Sequence, residues 1–165
     1  MSNYKRVFLN NHYYFFTILI NNRKLSLLTD YIDNLKAAFK TAKAQYPFST
    51  YAIVILPDHF HMIICPKRAK HYPLIISSIK RNFTLLLDNK IQATLKKNLS
   101  ESKIKKRESG VWHRRYYEHT IRDQKELNDI TDYIHFNPVK HGYVNRAQDW
   151  KYSSFMKFVK NGMYD

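Results

Sequence analysis

Residues 56 to 65 read LPDHFHMIIC, and they place two histidines, His59 and His61, inside an apolar run typical of a β-strand. Because strand side chains alternate between two faces, both imidazoles are expected on one face, with Phe60 and Met62 on the other. Imidazole binds borderline divalent ions well, so the pair predicts half of a metal site. The alternative is a chance His-X-His pair in an ordinary strand, because so short a motif is weakly specific.

The segments before this strand predict the start of a sheet. Residues 13 to 20 and 50 to 56 are rich in the aromatic and β-branched residues that strands favour. Between them, apolar residues recur at helical intervals from 28 to 42 and predict an amphipathic helix. Pro57 and Asp58 form a tight turn into the histidine strand, so the second and third strands are expected to form a hairpin.

The segments after the histidine strand complete the expected topology. A second long helix is predicted to begin at Tyr72. The basic stretch at about 95 to 110 is interpreted as a solvated loop or, equally, as an arm that contacts phosphates. Residues 111 to 121, VWHRRYYEHTI, predict a fourth strand. The order βαββαβ with an antiparallel hairpin predicts an α+β, ferredoxin-like fold, in which helices cover one face of an antiparallel sheet and further helices follow at the C-terminal end.

The last third of the chain is predicted to be mainly helical. Residues 123 to 136 form one amphipathic helix, and Pro138 is expected to stop it. Asn137 and Pro138 would then start a short new turn that ends at Gly142. A final helix is expected at residues 153 to 160.

The net charge of the chain points to a polyanionic partner. Lys and Arg number 28 against 13 Asp and Glu, which gives a formal charge of +15. Such an excess suits nucleic acid, with a ribosomal or membrane-surface protein as the alternative. Thirteen Tyr and ten Phe favour single-stranded nucleic acid, because unstacked bases can lie on aromatic faces.

Length and cysteine content bound the class of protein further. A chain of 165 residues is expected to form one domain. The single cysteine, Cys65, excludes a disulfide within the chain and a cysteine-based zinc finger. No signal peptide is recognisable, and no apolar run approaches the ~18 residues of a membrane span. We therefore expect a cytoplasmic protein associated with the nucleoid.

A possible nucleophile and a possible metal ligand share one face of the helix before Pro138. Tyr133 and Asn137 are four residues apart, so their side chains are expected on the same side. A phenol is a poor nucleophile at neutral pH unless its target is activated, and a metal that polarises a phosphate provides that activation. Two histidines and one asparagine would leave coordination positions open for phosphate and water, as catalysis requires.

Taken together, these residues resemble the HUH single-tyrosine transposases, and specifically the REP-associated tyrosine transposases. The resemblance covers nearly the whole chain. It is carried by HFH at 59 to 61, WHRRYYEHTIR at 112 to 122, YIHFNPVKHGYV at 133 to 144 and WKYSSF at 150 to 155. It implies the ferredoxin-like fold over residues 1 to 165 as a single HUH-type transposase or nuclease domain.

The resemblance also implies the chemistry of the site. His59 and His61 would bind a divalent metal, with Asn137 as third ligand where mobile-element relatives usually carry Gln. Tyr133 would attack a DNA phosphodiester and form a 5′-phosphotyrosine. Magnesium is abundant but prefers oxygen ligands, whereas two imidazoles favour Mn²⁺.

The implied substrates are single-stranded DNA hairpins, namely repetitive extragenic palindromes (REP) with a short guide sequence beside the stem. The REP-associated branch implies a monomer, whereas mobile-element relatives swap the tyrosine helix between two subunits. Candidates for DNA contacts are Arg114, Arg115, Lys140 and His119, although a structural hydrogen bond is an equal alternative for His119. Three other functions stay open: an HUH replication initiator or relaxase-like nickase, a non-catalytic hairpin-binding protein, and a protein with structural zinc bound by both histidines and a third.

Overall fold

Within residues 5 to 165, which the computed structural model describes, four antiparallel strands form one sheet in the order β2-β3-β1-β4. Their bounds are β1 Tyr14–Leu19, β2 Phe48–Ile55, β3 His59–Pro66 and β4 Tyr117–Thr120. The strand that carries both histidines pairs with β1 on one side and β2 on the other. This order confirms the predicted ferredoxin-like sheet and places the histidines in its interior.

Helices cover both faces of the sheet. They are α1 Leu27–Asp30, α2 Ile32–Gln45, α3 Tyr72–Leu86, α4 Asn89–Lys97, α5 Glu101–Lys105, α6 Gln124–Lys140 and α7 Phe155–Lys160. Helices α2 and α3 pack on the face formed by Phe60 and Met62. Helices α6 and α7 cover the other face, where Leu127 and Phe158 join a second apolar cluster. We call these the apolar face and the histidine face.

The basic stretch at about 95 to 110 is not the continuous loop predicted. Helices α4 and α5 occupy much of it, because Lys, Glu and Leu are strong helix formers. The Asp88 carboxylate begins α4 by accepting hydrogen bonds from the backbone N–H groups of Lys90 and Ile91, at 2.7 and 3.3 Å. Leu95 is buried in the core of the apolar face and anchors the helix.

The fourth strand is shorter than the sequence predicted. Regular pairing begins at Tyr117, opposite Thr17, whereas Trp112 forms only an isolated bridge with Ile20. Between these two pairs lie two residues on the β1 side and four, residues 113 to 116, on the other side. The two extra residues leave the sheet as a β-bulge. We call residues 113 to 116 the arginine bulge, because Arg114 and Arg115 project from it into solvent.

Helix α6 continues through Pro138, so the predicted stop before this residue was wrong. Proline lacks an N–H group, but near the end of a helix this removes only one intrahelical hydrogen bond. The carbonyl groups of Asn137 and Pro138 accept hydrogen bonds from the N–H groups of His141 and Tyr143. Gly142, with a φ of +73°, then ends the helix. Asn137 is therefore an internal helical residue and not a cap.

The WKYSSF segment covers the outer edge of β2. Ile55 donates its N–H to the carbonyl of Tyr152 at 2.8 Å, and Ser154 donates its N–H to the carbonyl of Ile53 at 2.9 Å. The predicted final helix is shorter than expected and begins at Phe155. Across residues 5 to 165, no helix is both long enough and apolar enough to cross a membrane.

Candidate metal and nucleophile site

His59 and His61 stand side by side on the histidine face, as the alternation of β3 predicted. Their ring centres are 4.9 Å apart, and both residues are at least 96% buried. The Nδ1 atom of His59 lies 2.6 Å from Asp58 Oδ1, and that of His61 lies 2.8 Å from Thr17 Oγ1. With the proton on Nδ1, each ring donates to its oxygen partner and presents Nε2 as a ligand nitrogen.

Burial keeps both imidazoles neutral. It lowers the pKa of His61 to about 3, together with the nearby charge of His59. Burial also lowers the pKa of His59, although the Asp58 carboxylate opposes this effect. Neutral imidazole is the form that binds metal ions, so these rings need not lose a proton at neutral pH before binding one.

Asp58 and Arg23 support His59, although the sequence predicted only a turn at Asp58 and no role for Arg23. Arg23 donates a hydrogen bond from Nε to Asp58 Oδ2 at 2.6 Å, while Asp58 Oδ1 accepts from His59. Burial raises the pKa of the Asp58 carboxyl, but the hydrogen bonds from His59 and Arg23 outweigh it and the net pKa is lowered. The carboxylate therefore stays charged. A carboxylate directly before a histidine pair was the signal that could have identified Asp58.

Helix α6 places three residues, spaced four apart, beside the histidine pair. The Tyr133 ring meets the His61 ring edge-on, with centres 5.2 Å apart. The His141 ring, directly after the helix, lies 5.5 Å from that of His59. Asn137 lies midway between Tyr133 and His141 on the same face of the helix, so it too faces the pair. The predicted site residues are thus brought together by one chain.

Several polar atoms at this place are buried and unsatisfied. His61 Nε2 and both side-chain atoms of Asn137 find no hydrogen-bond partner among the described residues. Leaving a buried polar group unpaired costs about 1–3 kcal/mol per group. Two imidazole nitrogens and an amide oxygen are a donor set that suits a divalent ion, so these side chains fit the metal implied by the resemblance.

The third donor that the side chains offer here is the amide oxygen of Asn137. In the part of the chain that the structure describes, no group of three or more His, Cys, Asp or Glu side chains could hold a metal ion. The alternative of structural zinc held by three histidines therefore finds no support in these residues.

Tyr133 and Lys140 are accessible at the rim of the site. Tyr133 is 42% exposed, and Lys140 Nζ lies 5.3 Å from the centre of its ring. Phe15 separates Tyr133 from Tyr117, an exposed residue of β4, with ring-centre distances of 6.2 and 6.0 Å. The phenol thus sits beside a positive charge and an exposed aromatic ring.

The other predicted DNA contacts lie elsewhere. Arg114 and Arg115 are exposed on the arginine bulge. His119 is half-buried on β4, and its Nε2 atom lies 2.8 Å from Glu126 Oε1 in the first turn of α6. This is the structural hydrogen bond foreseen as the alternative for His119, and a DNA contact there stays a prediction.

The fold, and a tyrosine beside a histidine pair, are the features expected of HUH enzymes with one tyrosine. The family model described as "Transposase IS200 like" matches residues 8 to 137. The chain therefore belongs to the IS200-like transposases, a family of enzymes.

Individual relatives agree with this family. The chain is 45% identical, over 99% of its length, to a curated Haemophilus influenzae protein classed by name with the REP-associated tyrosine transposases, and it covers 91% of that protein. It is 34% identical to the REP-associated tyrosine transposase of Escherichia coli, over 99% of this chain and 88% of the relative. A solved REP-associated tyrosine transposase bound to a REP hairpin superposes with a TM-score of 0.81 and 32% identity, over 100% of this chain and 89% of that one.

Proposed function

We propose that this protein is a metal-dependent endonuclease and strand transferase that cuts single-stranded DNA beside REP-type hairpins. The observation that carries the proposal is the packing of Tyr133 against His61, next to the unsatisfied atoms of His61 and Asn137. Pure binding of DNA does not require a nucleophile beside unpaired ligand atoms. The names of the relatives and the hairpin bound by the solved relative support the same substrate.

His59, His61 and Asn137 are the residues we assign to the metal. Transposases of this family generally use a divalent metal. When bound, a divalent ion polarises the scissile phosphate and stabilises negative charge on its oxygens. Two imidazoles favour Mn²⁺, with Mg²⁺ as the abundant alternative. The role of the chain is to keep the imidazoles neutral and oriented, through burial and through Asp58 and Thr17.

Tyr133 is the nucleophile in this proposal. Its phenolic oxygen forms a bond to the phosphorus while the bond from phosphorus to the 3′ oxygen breaks. The phenol loses its proton and the departing 3′ oxygen gains one, which leaves the 5′ phosphate on the tyrosine. Attack by a 3′ hydroxyl on this phosphotyrosine reverses the step and rejoins a strand. The covalent bond conserves the phosphodiester energy, so rejoining requires no ATP.

Charged and aromatic residues around Tyr133 would hold the strand. Lys140 is close enough to contact a phosphate that approaches the phenol. Tyr117 is 57% exposed and offers a face on which an unstacked base can lie. The formal charge of +15 supplies a general attraction for DNA that weakens as salt increases.

The proposal extends to the organisation of the protein. We infer that residues 1 to 165 form one HUH-type domain, because residues 150 to 158 pack on the sheet beyond the end of the family match. We also infer a monomer, since Tyr133 meets His61 within one chain. Its DNA substrate would place the protein in the cytoplasm, at the nucleoid.

The test is a denaturing gel of labelled hairpin DNA incubated with the protein and Mn²⁺. The oligonucleotides carry varied flanks, because the guide sequence is not specified. We expect a cleaved strand and a protein-linked band with the unsubstituted protein, and neither with Tyr133→Phe. Tyr143→Phe is the matched control, because Tyr143 is 44% exposed, close to the 42% of Tyr133, and this variant should cut normally.

The outcomes separate the alternatives. A covalent band that persists in Tyr133→Phe would show that another residue is the nucleophile. If all three proteins bind hairpin DNA and none cuts with any flank or metal, the protein is a non-catalytic hairpin-binding protein.

A further inference from the structure

His135 lies on the side of α6 that faces away from the histidine pair. It is two positions from Tyr133 and two from Asn137, and two positions turn a helix by about 200°. Its ring is completely buried and meets the rings of Phe155 and Phe158 edge-on, with centres 5.7 and 4.6 Å away. The cleavage chemistry proposed above makes no use of this third buried imidazole.

Each nitrogen of the His135 ring lies at hydrogen-bond distance from a hydroxyl oxygen. Tyr164 donates its only hydroxyl proton to Asp132 Oδ1 at 2.7 Å. The Tyr164 oxygen is 3.0 Å from His135 Nδ1, so it accepts the proton that this nitrogen carries. In a neutral ring Nε2 is then an acceptor, and Ser154 Oγ lies 2.8 Å from it. These bonds fix both the tautomer and the orientation of the ring.

Ser154 joins this histidine to the sheet. Its hydroxyl oxygen accepts the N–H of Ile53 at 2.9 Å, and its own backbone N–H donates to the carbonyl of Ile53 at 2.9 Å. The next residue of β2, Val54, pairs directly with His61 on β3. The hydrogen bond between Ser154 and His135 therefore connects α6 to β2 at a point one residue from the partner of His61.

Packing alone does not account for an imidazole at this position. The other buried contacts of α6 with the sheet are apolar, through residues such as Leu127 and Ile134. Apolar contact has no preferred direction, whereas a hydrogen bond is restricted in both distance and angle. A leucine could also fill the space beside Phe155 and Phe158. The polar link thus adds a directional restraint on the turn of α6 that carries Tyr133.

We propose that His135 is a positioning residue that, through Ser154, fixes the rotation of α6 and so holds Tyr133 opposite His61. This inference rests on the proposed function, because it takes Tyr133 as the nucleophile. Tyr133 meets His61 edge-on at 5.2 Å and is 42% exposed, so its place depends on the position of the helix. A displacement of about 1 Å between reacting groups can slow a reaction about 10²-fold.

The test compares two amides at position 135. The amide oxygen of Gln reaches the place of Nε2 and can accept the Ser154 proton, whereas the amide of Asn reaches only the place of Nδ1, beside Tyr164. His135→Gln therefore keeps the link to the sheet, and His135→Asn loses it. The rate of covalent bond formation is measured in a single turnover with Mn²⁺ and saturating hairpin DNA. The affinity for the same DNA is measured with a chelator, so cleavage does not interfere.

We expect His135→Asn to slow bond formation by about 10- to 100-fold, because the nucleophile is no longer held in place. The rate of His135→Gln should stay within about 3-fold of that of the unsubstituted protein, because its geometry is kept. Both variants should bind DNA within about 2-fold of the unsubstituted protein, since phosphate contacts dominate affinity. Equal rates in the two amide variants would overturn the proposal.

Ser154→Ala tests the same link from the other side, and it keeps the proposal testable if an amide variant does not fold. It should slow bond formation about as much as His135→Asn. The double variant should be no slower than either single one, because both substitutions remove one interaction. Losses that multiply in the double variant would overturn the proposal.

Ser78→Ala is the matched control. Ser78 is also a buried serine that links two elements, because its hydroxyl donates to Gln45 Oε1 at 2.7 Å between α3 and α2. This link lies on the apolar face, so its removal should lower stability and leave the cleavage rate of the folded protein unchanged. If Ser78→Ala slows bond formation as much as Ser154→Ala, the loss follows from stability and the positioning role is wrong.

A readout without cleavage separates this inference from the proposed function. Fluorotyrosine at position 133 reports the surroundings of this side chain by fluorine NMR of the free protein. We expect His135→Gln to leave the resonance unchanged and His135→Asn to shift or broaden it. If the resonance behaves in this way but the unsubstituted protein cuts no DNA, the positioning role stands and the proposed function fails. An unchanged resonance in both variants would overturn the positioning role.

Discussion

The two faces of β3 are about equally buried, but burial has different consequences on each face. Phe60 and Met62 are fully buried on the apolar face, where they pack against α2 and α3. His59 and His61 are almost as buried on the histidine face, but there burial favours the neutral imidazoles and leaves Nε2 of His61 without a hydrogen-bond partner among the described residues. Burial on one side stabilises the fold through apolar contact. On the other side it costs stability at the residues proposed to bind metal, so substitutions on the two faces should separate stability from activity.

The largest effect is expected from Phe60→Ala on the apolar face. Removing a fully buried phenyl ring leaves a cavity, which should lower the free energy of unfolding by about 3–5 kcal/mol. Urea unfolding measures this loss. Cleavage by the fraction that remains folded at low temperature should stay normal. A large loss of cleavage without loss of stability would mean that the two faces are not separable.

Asn137→Leu, on the histidine face, should have the opposite effect: it should lower cleavage and raise the free energy of unfolding. The variant removes a proposed ligand, so cleavage should fall at least about 10²-fold, or about 2.7 kcal/mol. It also replaces two unsatisfied buried atoms with a side chain of similar size. In the presence of a chelator, its unfolding free energy should therefore rise by about 1–2 kcal/mol. A destabilised variant would show that Asn137 has partners that support the fold.

Asp58→Ala tests the support of His59 and should act through metal affinity. Loss of a carboxylate that orients a metal-binding histidine typically costs 10–100-fold in affinity or activity. We expect a loss of cleavage in that range, partly restored by more Mn²⁺, and a smaller loss for Asp58→Asn. Asp149→Ala is the matched control, because Asp149 is an exposed carboxylate paired with Arg146. Equal losses in both variants would contradict the positioning role.

The smallest expected effect is a pH dependence at the start of α6. Hydrogen bonds from the side chain and backbone of Arg122, and from His119, lower the pKa of Glu126 from 4.5 to about 2. The folded state thus favours the carboxylate, so this stabilisation is complete above about pH 4.5 and is lost as pH falls toward 2. Urea unfolding of Glu126→Gln should show a flatter decline than the unsubstituted protein in this window. Parallel declines would exclude a contribution from Glu126.

The periodicity of side chains along the sequence correctly predicted the main helices and the two faces of β3. Alternation along 59 to 62 correctly assigned the two faces of β3, and apolar spacing identified the main helices. A four-residue interval placed Tyr133 and Asn137 on one side of α6, even though Pro138 suggested an earlier end. Here the periodicity of side chains was a stronger guide than a single residue with low helix propensity.

Features set by tertiary contact were missed. Arg23 and Asp58 are 35 positions apart and meet only after the sheet has formed. The arginine bulge depends on the pairing of its flanks with β1, so VWHRRYYEHTI alone resembles an uninterrupted strand. The helices in the basic stretch were missed because charge density was given more weight than helix propensity and the Asp88 cap.

The contact between Tyr133 and His61 also has a kinetic consequence. The proposed nucleophile and the proposed ligands lie on one chain, and we therefore expect the site to assemble in a unimolecular step. The cleavage rate per molecule should then be constant upon dilution, whereas a tyrosine helix exchanged between subunits would make it fall with protein concentration. Each molecule would hold one DNA end, and joining the ends of two different strands would require either successive reactions or two molecules acting together.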